Sequence, residues 1–121
     1  AEQRKYTSGT SLSEIETVQI HLAKMYNLVN ASICTTKEAT RAAAQGEEDA
    51  LAKILSARVI ASENVIEAGR LGMRVGGGKA YNKVGPMERL VRDSYAGQIM
   101  APSVDVLTVW LGKAITGQPL V

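Results

Sequence analysis

Apolar side chains recur every three or four positions along most of this chain, and this periodicity constrains the fold more than any other feature. In the first such segment the apolar residues are Leu12, Ile15, Val18, Leu22, Met25, Val29 and Ile33. Spacing of three and four places side chains on one face of an α-helix, and no segment alternates apolar and polar residues over strand length. The chain is therefore predicted to be all-α.

Turn and cap residues divide this pattern into four helices. The predicted bounds are Ser11 to about Ala44, Glu47 to Gly72 or Val75, Pro86 to about Ile99, and Ser103 to Ile115. The first begins at a capping box, Ser11 to Glu14, and the acidic residues 47–49 are expected in the first turn of the second. A short link makes the two long helices an antiparallel hairpin, which the shorter pair completes as a four-helix up-down bundle.

Composition excludes several classes of protein. The 121 residues fit one domain, and a formal charge of +2 with both signs scattered lacks the basic face of a nucleic-acid binder. No stretch approaches the roughly 20 apolar residues of a membrane span. Cys34 is the only cysteine, so no intramolecular disulfide forms and a reducing cytoplasm is the expected compartment.

Catalytic and metal-binding patterns are missing from the sequence. His21 is the only histidine, without ligands at metal spacing, and is predicted to be structural. Cys34 is interpreted as a small apolar side chain in a helix, and Trp110 as a core residue. Arg92-Asp93 is interpreted as a buried ion pair within the bundle, with a functional site as the less favoured alternative.

Two segments suit anion binding, and each has a structural alternative. Gly76, Gly77 and Gly78 free the backbone for close approach to a ligand beside Lys79 and Lys83, but glycines after a helix commonly form a C-cap. The segment from Arg4 to Gly9 could receive an anion before a helix N-terminus, or could be a frayed terminus. Local chemistry leaves both alternatives open.

Five short motifs occur in order along almost the whole chain. They are Lys5 to Gly9, Glu16 to Met25 with Gln19-x-x-Leu22-Ala23-x-Met25, Gly77-Gly78-x-x-Tyr81, Pro86-x-Glu88-Arg89, and Arg92-Asp93. Together they resemble the carboxy-terminal helical domain of the acyl-CoA dehydrogenase family of flavoproteins. The resemblance implies that residues 1–121 are one such domain of a longer chain, which uses FAD to oxidise acyl-CoA thioesters at Cα–Cβ.

The resemblance also implies where the cofactor is held. In the family the glycine loop lies near the FAD of a neighbouring subunit, so a homodimer or homotetramer is expected. The implied FAD contacts are Arg4 or Lys5, Arg74, Gly77, Gly78 and Ser103. Arg74 stands where the family often has glutamine, and its guanidinium can bind a phosphate bidentately. Glu16 replaces a flavin-contacting glutamine, which weakens that contact because an ionised carboxylate cannot donate.

The usual catalytic base is missing. Many family members have a glutamate eight residues beyond the Arg-Asp pair, a position that Ala101 occupies here, so no catalytic residue is assigned and the domain alone is expected to be inactive. The base could lie in another part of the full-length enzyme. The alternatives are a flavin-dependent monooxygenase of the same fold, which needs no such base, and a non-catalytic four-helix interaction module.

Overall fold

A computed structural model describes residues 16–76, 86–96 and 102–120 of the chain. These residues form four helices and no strand: α1 Glu16–Ala44, α2 Ala50–Gly76, α3 Pro86–Ser94 and α4 Val104–Ile115. The all-α prediction, with two long helices followed by two shorter ones, is confirmed. The predicted capping box at Ser11 lies outside the described residues, as does Ile99. The third helix was predicted to run on to about Ile99, but α3 already ends at Ser94, where the Tyr95 N–H donates three residues back to the Arg92 carbonyl in a tighter turn.

Helix α2 is the central element of the described structure. It packs against α1 along most of its length, and both α3 and α4 also pack against α2. Asn64 ties the long pair together, since its Nδ2 donates to the Leu28 carbonyl at 3.0 Å and to Ser32 Oγ at 3.2 Å. The predicted helical hairpin is therefore present, with α3 and α4 attached to its second arm.

Helices α1 and α4 end with the same capping geometry. At the end of α1, Gly46 has a φ of 65° and donates to the Ala43 carbonyl, while the Glu47 N–H donates to the Ala42 carbonyl at 3.0 Å. Gly117, with a φ of 75°, ends α4 with the same pair of backbone hydrogen bonds. This is the Schellman motif, in which glycine adopts the left-handed conformation without a Cβ clash.

The start of α2 differs from the prediction. Residues 47–49 were expected in its first turn, but the helix begins at Ala50 and these residues form the link before it. The Lys53 N–H donates to the Asp49 carbonyl at 3.0 Å, so Asp49 is the N-cap residue. The Schellman motif after α1 already uses the Glu47 N–H, which leaves room for a new helix only after the following turn.

The buried core lies between the first half of α2 and α4. Leu55 and Val59 of α2 pack with Val104 and Leu107 of α4, and the half-buried Trp110 packs against this cluster as predicted. Helix α3 packs further along α2, beside Gly69: a Cβ there would lie 3.5 Å from Val91 Cγ2, an ordinary contact distance. The shorter helices therefore contact different halves of the hairpin.

Several predicted core residues are exposed. Leu22, Val29 and Ile33 of the first apolar stripe are each more than a third exposed, whereas Val18 of the same stripe is buried. Leu12 and Ile15 lie outside the described residues. The predicted stripe does not face the partner helix. Helix α2 packs on the side of α1 that carries Leu28, Ser32 and Ala39, and this side lies about 100° around the helix axis from that stripe.

Corrections of the same kind apply elsewhere. Cys34 is exposed rather than packed as an apolar side chain. Ile115, an apolar residue that follows the helical spacing of Val104, Leu107 and Leu111, is 69% exposed. Periodicity identifies an apolar face, but the partner helix decides which side of that face becomes buried.

Candidate functional site

The antiparallel hairpin brings the start of α1 beside the end of α2. The Asn64–Leu28 hydrogen bond and the ion pair between Lys53 Nζ and Glu38 Oε2, at 2.6 Å, fix the relative register of the two helices. When the same register is extended toward the start of α1 and the end of α2, the buried Val18 lies level with Arg74. We call residues 16–25 and 67–76 the open end of the hairpin, and residues 38–53 the turn end.

Arg74 lies in the last turn of α2 at the open end. Its side chain is exposed, and no ion pair that the structure describes includes it. A cation in this turn interacts favourably with the negative end of the helix dipole, so Arg74 has a structural role even without a ligand. The planar guanidinium remains accessible, which is what bidentate contact with a phosphate requires.

Positive charge exceeds negative charge around this arginine. Glu67 accepts from Arg70 Nε at 2.9 Å, and this hydrogen bond lowers the pKa of Glu67, with smaller contributions from Lys24 and Arg74. Among the described residues of the open end, three cations, Lys24, Arg70 and Arg74, thus stand against two carboxylates, Glu16 and Glu67, and the hydrogen bonds of Glu67 go to Arg70. The open end can therefore attract an anion through Arg74 without breaking that pair.

Ser103 is the N-cap of α4. Its Oγ accepts a hydrogen bond from the Val106 N–H at 3.4 Å, and its carbonyl accepts from the Leu107 N–H at 2.9 Å. A hydroxyl can accept and donate at once, so capping leaves the Ser103 hydrogen available to a further acceptor. The predicted start of the fourth helix at Ser103 is confirmed, and its contact with a cofactor stays a prediction.

The remaining predicted site positions lie outside the described residues. They are Arg4, Lys5, Gly77, Gly78 and Ala101. The sequence does connect one pair to the open end, because Gly77 and Gly78 directly follow Gly76, the last residue of α2. The glycine motif is therefore covalently attached next to the turn that carries Arg74.

No metal-binding cluster occurs in the described segments. No three His, Cys, Asp or Glu side chains there are grouped closely enough to hold a metal ion. His21 is half-buried on the side of α1 that faces α2. No group in the described residues forms a hydrogen bond with its Nδ1.

The Arg92-Asp93 interpretation as a buried pair is wrong. Both side chains are exposed, and Asp93 pairs instead with Arg89, one turn earlier, at 3.9 Å. Adjacent residues on a helix point about 100° apart, whereas residues four apart lie on the same face. The pair is therefore a surface interaction within α3 and does not tie α3 to the rest of the fold.

A cluster of charges at the turn end was not foreseen from the sequence. Arg41 Nε donates to Glu38 Oε1 at 2.6 Å, and Arg41 Nη1 donates to Glu47 Oε2 at 2.7 Å. Lys53 Nζ contacts Glu38 at 2.6 Å and Asp49 at 3.1 Å. The Glu38–Arg41 and Asp49–Lys53 spacings signal two of these pairs, but the pairs Arg41–Glu47 and Lys53–Glu38 need the hairpin register, which periodicity does not supply.

This cluster is structural. Hydrogen bonds from Arg41 and then Lys53 lower the pKa of Glu38 to about 2, and the bond from Arg41 lowers the pKa of Glu47. The same bonds raise the pKa of Lys53 and of Arg41. Every ion is thus held in its charged form by a neighbour, which joins α1, the link and α2 and leaves little attraction for an outside ligand.

Comparisons with known proteins agree with the helical architecture and the motif order. A family described as "Acyl-CoA dehydrogenase, C-terminal domain" matches residues 1–115. A cyclohex-1-ene-1-carbonyl-CoA dehydrogenase of Geobacter metallireducens is 26% identical over 113 residues, which cover 93% of this chain and 30% of that relative. No solved structure matches the chain significantly.

The chain spans less than a third of that relative's length. None of the described helices is long and apolar enough to cross a membrane. The match of the family to almost the entire chain, together with its four helices, establishes its membership. The chain belongs to the acyl-CoA dehydrogenase family, in which it corresponds to the carboxy-terminal domain.

Proposed function

We propose that this chain is the carboxy-terminal domain of an FAD-dependent acyl-CoA dehydrogenase-like oxidoreductase, in which it contributes FAD contacts and part of an oligomer interface. The observation that supports this most directly is the open end of the hairpin. There an exposed arginine that takes part in none of the ion pairs of the described residues stands one turn before the Gly77-Gly78 motif. The proposed substrate is an acyl-CoA thioester, the class to which the substrate named for the Geobacter metallireducens relative belongs.

The residues of this chain would hold the cofactor rather than perform the chemistry. Arg74 would bind the FAD pyrophosphate through its two terminal nitrogens, while backbone N–H groups of Gly77 and Gly78 can approach the same group closely. The cation of Arg4 or Lys5 would add to this contact, and the Ser103 hydroxyl would donate to the flavin part. When bound, FAD supplies the electron acceptor for oxidation of the Cα–Cβ bond.

The catalytic base is proposed to come from another part of the full-length enzyme. Ala101, at the position where many family members have the catalytic glutamate, cannot accept a proton. The domain therefore acts by positioning the cofactor and is inactive alone. A reducing cytoplasm remains the proposed compartment, since Cys34 is an exposed free thiol.

The flavin contact can be tested by replacing Arg74 in the full-length protein. A charge-assisted hydrogen bond contributes about 1.5–3 kcal/mol, so Arg74→Ala is expected to weaken FAD binding about tenfold to a hundredfold. The measurement is the dissociation constant for FAD after removal and titration back of the cofactor. Thermal unfolding of the apoprotein, recorded in parallel, separates a lost contact from a lost fold.

Two substitutions serve as controls. Arg74→Lys keeps the charge near the end of α2 but loses the bidentate fork, so it should lie between Arg74→Ala and the parent. Arg70→Ala removes a neighbouring arginine whose partner is Glu67, and should leave FAD affinity unchanged. Equal FAD affinity in the parent and Arg74→Ala would exclude the pyrophosphate contact.

Turnover distinguishes the dehydrogenase from its rivals. Full-length protein should reduce an artificial electron acceptor with an acyl-CoA substrate in the absence of oxygen, which a monooxygenase working only with reduced flavin and oxygen does not do. A full-length protein that binds no FAD at all would favour the non-catalytic interaction module instead.

A further inference from the structure

Two rows of side chains on α1 follow helical spacing, and only one of them faces α2. Among the described helices α1 packs against α2 alone, so its buried and half-buried side chains mark the side that faces α2. We call this second row the joining row. Its members are Val18, His21, Met25, Leu28, Ser32, Thr35, Ala39 and Ala42. Their intervals alternate strictly between three and four, which is the seam of a coiled coil.

A polar network interrupts this seam near its middle. Asn64 Nδ2 donates to the Leu28 carbonyl at 3.0 Å and to Ser32 Oγ at 3.2 Å, and Ser32 Oγ donates to the same carbonyl at 2.9 Å. We call these three groups the central node. Both amide hydrogens are used, and Nδ2 must face α1 because the Leu28 carbonyl can only accept. A single asparagine in a coiled-coil seam fixes how two helices align, which non-directional apolar packing does not.

The central node is the polar link between the arms that lies nearest the open end. The other side-chain bond seen between described residues of α1 and α2 joins Lys53 to Glu38 at the turn end. Both helices also carry polar groups at the open end. The pKa of Glu67 is lowered mainly by its hydrogen bonds with Arg70 of the same helix, and Lys24 of α1 contributes only through its charge.

Alignment at the central node affects the position of Arg74. Arg74 follows Asn64 by ten residues, about 15 Å along α2 at 1.5 Å per residue. A tilt of about 5° between the arms at Asn64 would therefore displace the end of α2 by about 1.3 Å. Charge-assisted hydrogen bonds span about 2.7–2.9 Å, so a displacement of this size weakens them. The arms must keep their spacing because the proposed FAD contacts belong to both, with Arg4 or Lys5 before α1 and Arg74 at the end of α2.

We propose that Asn64 is a positioning residue, which holds α1 and α2 through Leu28 and Ser32 at the spacing in which Arg74 meets the cofactor phosphate. Asn64 does not touch the cofactor and acts through Arg74. The inference rests on the proposed function, because it requires the Arg74 contact.

The first test is Asn64→Leu in the full-length protein. Leucine has a similar volume and removes both donors, while the Leu28 carbonyl keeps its hydrogen bond from Ser32. The unfolding temperature of the apoprotein should therefore change by less than about 4 °C. The dissociation constant for FAD should rise about threefold to tenfold, less than for Arg74→Ala, because the contact is weakened rather than removed.

A double variant separates positioning from general support of the fold. If Asn64 acts through Arg74, adding Asn64→Leu to Arg74→Ala should change the dissociation constant for FAD by less than about twofold. Additive losses would mean that Asn64 affects the cofactor by another route, and they would overturn the inference.

Amide hydrogen exchange of the apoprotein measures the alignment without FAD. Asn64→Leu should speed exchange about tenfold in residues 16–27, while residues 38–53 at the turn end keep the parent rate. Parent rates in both segments would overturn the positioning role and leave the Arg74 contact standing. Faster exchange at the open end, with unchanged FAD affinity in Asn64→Leu and in Arg74→Ala, would contradict the Arg74 contact itself, and the positioning role would fall with it.

The matched control is Asn27→Leu, the same chemical change at an exposed asparagine of α1 outside the joining row. It should retain the FAD affinity and the exchange rates of the parent. Ser32→Ala guards against misfolding, since it places a strong helix former in α1 and removes only one of the two acceptors of Asn64. It should show the same changes at smaller size. Should Asn64→Leu not fold, parent values for both measurements in Ser32→Ala would overturn the inference.

Discussion

The two ends of the helical hairpin use charge in different ways. At the turn end, Glu38, Arg41, Glu47 and Lys53 satisfy one another across α1, the link and α2. At the open end a single pair, Glu67 with Arg70, is closed, and Arg74 remains outside the ion pairs described. The adjoining packing differs too, because the buried cluster of α2 and α4 lies toward the turn end, whereas α3 approaches nearer the open end.

This contrast is the reason for assigning stability to the turn end and the proposed phosphate contact to the open end. Charges that already neutralise one another offer little to a ligand, and a buried apolar cluster cannot move without loss of stability. An exposed arginine beside a glycine motif has the opposite character, since its full interaction is available to a phosphate. Stability and the proposed binding are thus assigned to opposite ends of the same pair of helices.

The largest effect should come from the buried cluster near the turn end. Leu107 is 3% exposed and packs with Leu55 and Val59, so Leu107→Ala should lower the free energy of unfolding by about 2–5 kcal/mol. The matched control, Leu90→Ala, alters a leucine of α3 that is 53% exposed and should cost less than about 0.5 kcal/mol. Urea unfolding curves recorded by circular dichroism compare them, and equal losses would abolish the contrast in packing.

A smaller effect of opposite sign is expected where α3 meets α2. Glycine inside a helix is about 0.5–1 kcal/mol less stable than alanine, and a Cβ at Gly69 would make ordinary contacts, at 3.5 Å to Val91 Cγ2 and 3.6 Å to Ser94 Oγ. Gly69→Ala should therefore raise the free energy of unfolding by about that amount. The midpoint of urea unfolding measures the gain.

Gly112→Ala is the matched control for this substitution. Gly112 lies within α4, and a Cβ there would meet no heavy atom within 4 Å, so only the helix preference changes. The two variants should gain similar stability. A loss in Gly69→Ala beside a gain in Gly112→Ala would show that α3 sits too tightly on α2 to accept one methyl group.

The sequence predicts the helices more successfully than their contacts. Gly46, Gly117 and Ser103 mark helix ends through local hydrogen bonds, which depend on a few neighbouring residues and so can be inferred without the fold. The buried side of α1 depends on α2, and both rows of α1 satisfy helical periodicity. Leu22, Val29 and Ile33 were therefore predicted in the core although they are exposed.

The candidate site divides in the same way. The sequence indicates Arg74 as a potential phosphate ligand. The structure places Arg74 in the exposed last turn of α2, a position that depends only on where the helix ends. Its separation from the charge cluster follows from the hairpin register, which arises only when the helices pair. The Arg92-Asp93 error has this origin too, because neighbours in sequence are not neighbours on a helical surface.

The smallest effect tests the charges of the turn end through pH. Hydrogen bonds from Arg41 and then Lys53 lower the pKa of Glu38 from 4.5 to about 2. A carboxylate with a lower pKa in the folded chain stabilises the fold above its unfolded pKa, and this contribution disappears as pH falls from about 4.5 toward 2. Glu38→Gln should therefore reduce the fall in unfolding temperature over that interval.

Glu63→Gln is the control, since Glu63 is an exposed glutamate of α2 outside the described ion pairs, and it should keep the pH dependence of the parent. Added salt should shrink the difference between Glu38→Gln and the parent, because these side chains are partly exposed and their attraction is screened. Identical curves for Glu38→Gln and the parent would mean that the carboxylate gains nothing from Arg41 and Lys53. The ion pairs of the turn end would then contribute nothing to stability. Charge pairing would no longer distinguish the turn end from the open end, and it would give no reason to assign the proposed ligand contact to the open end alone.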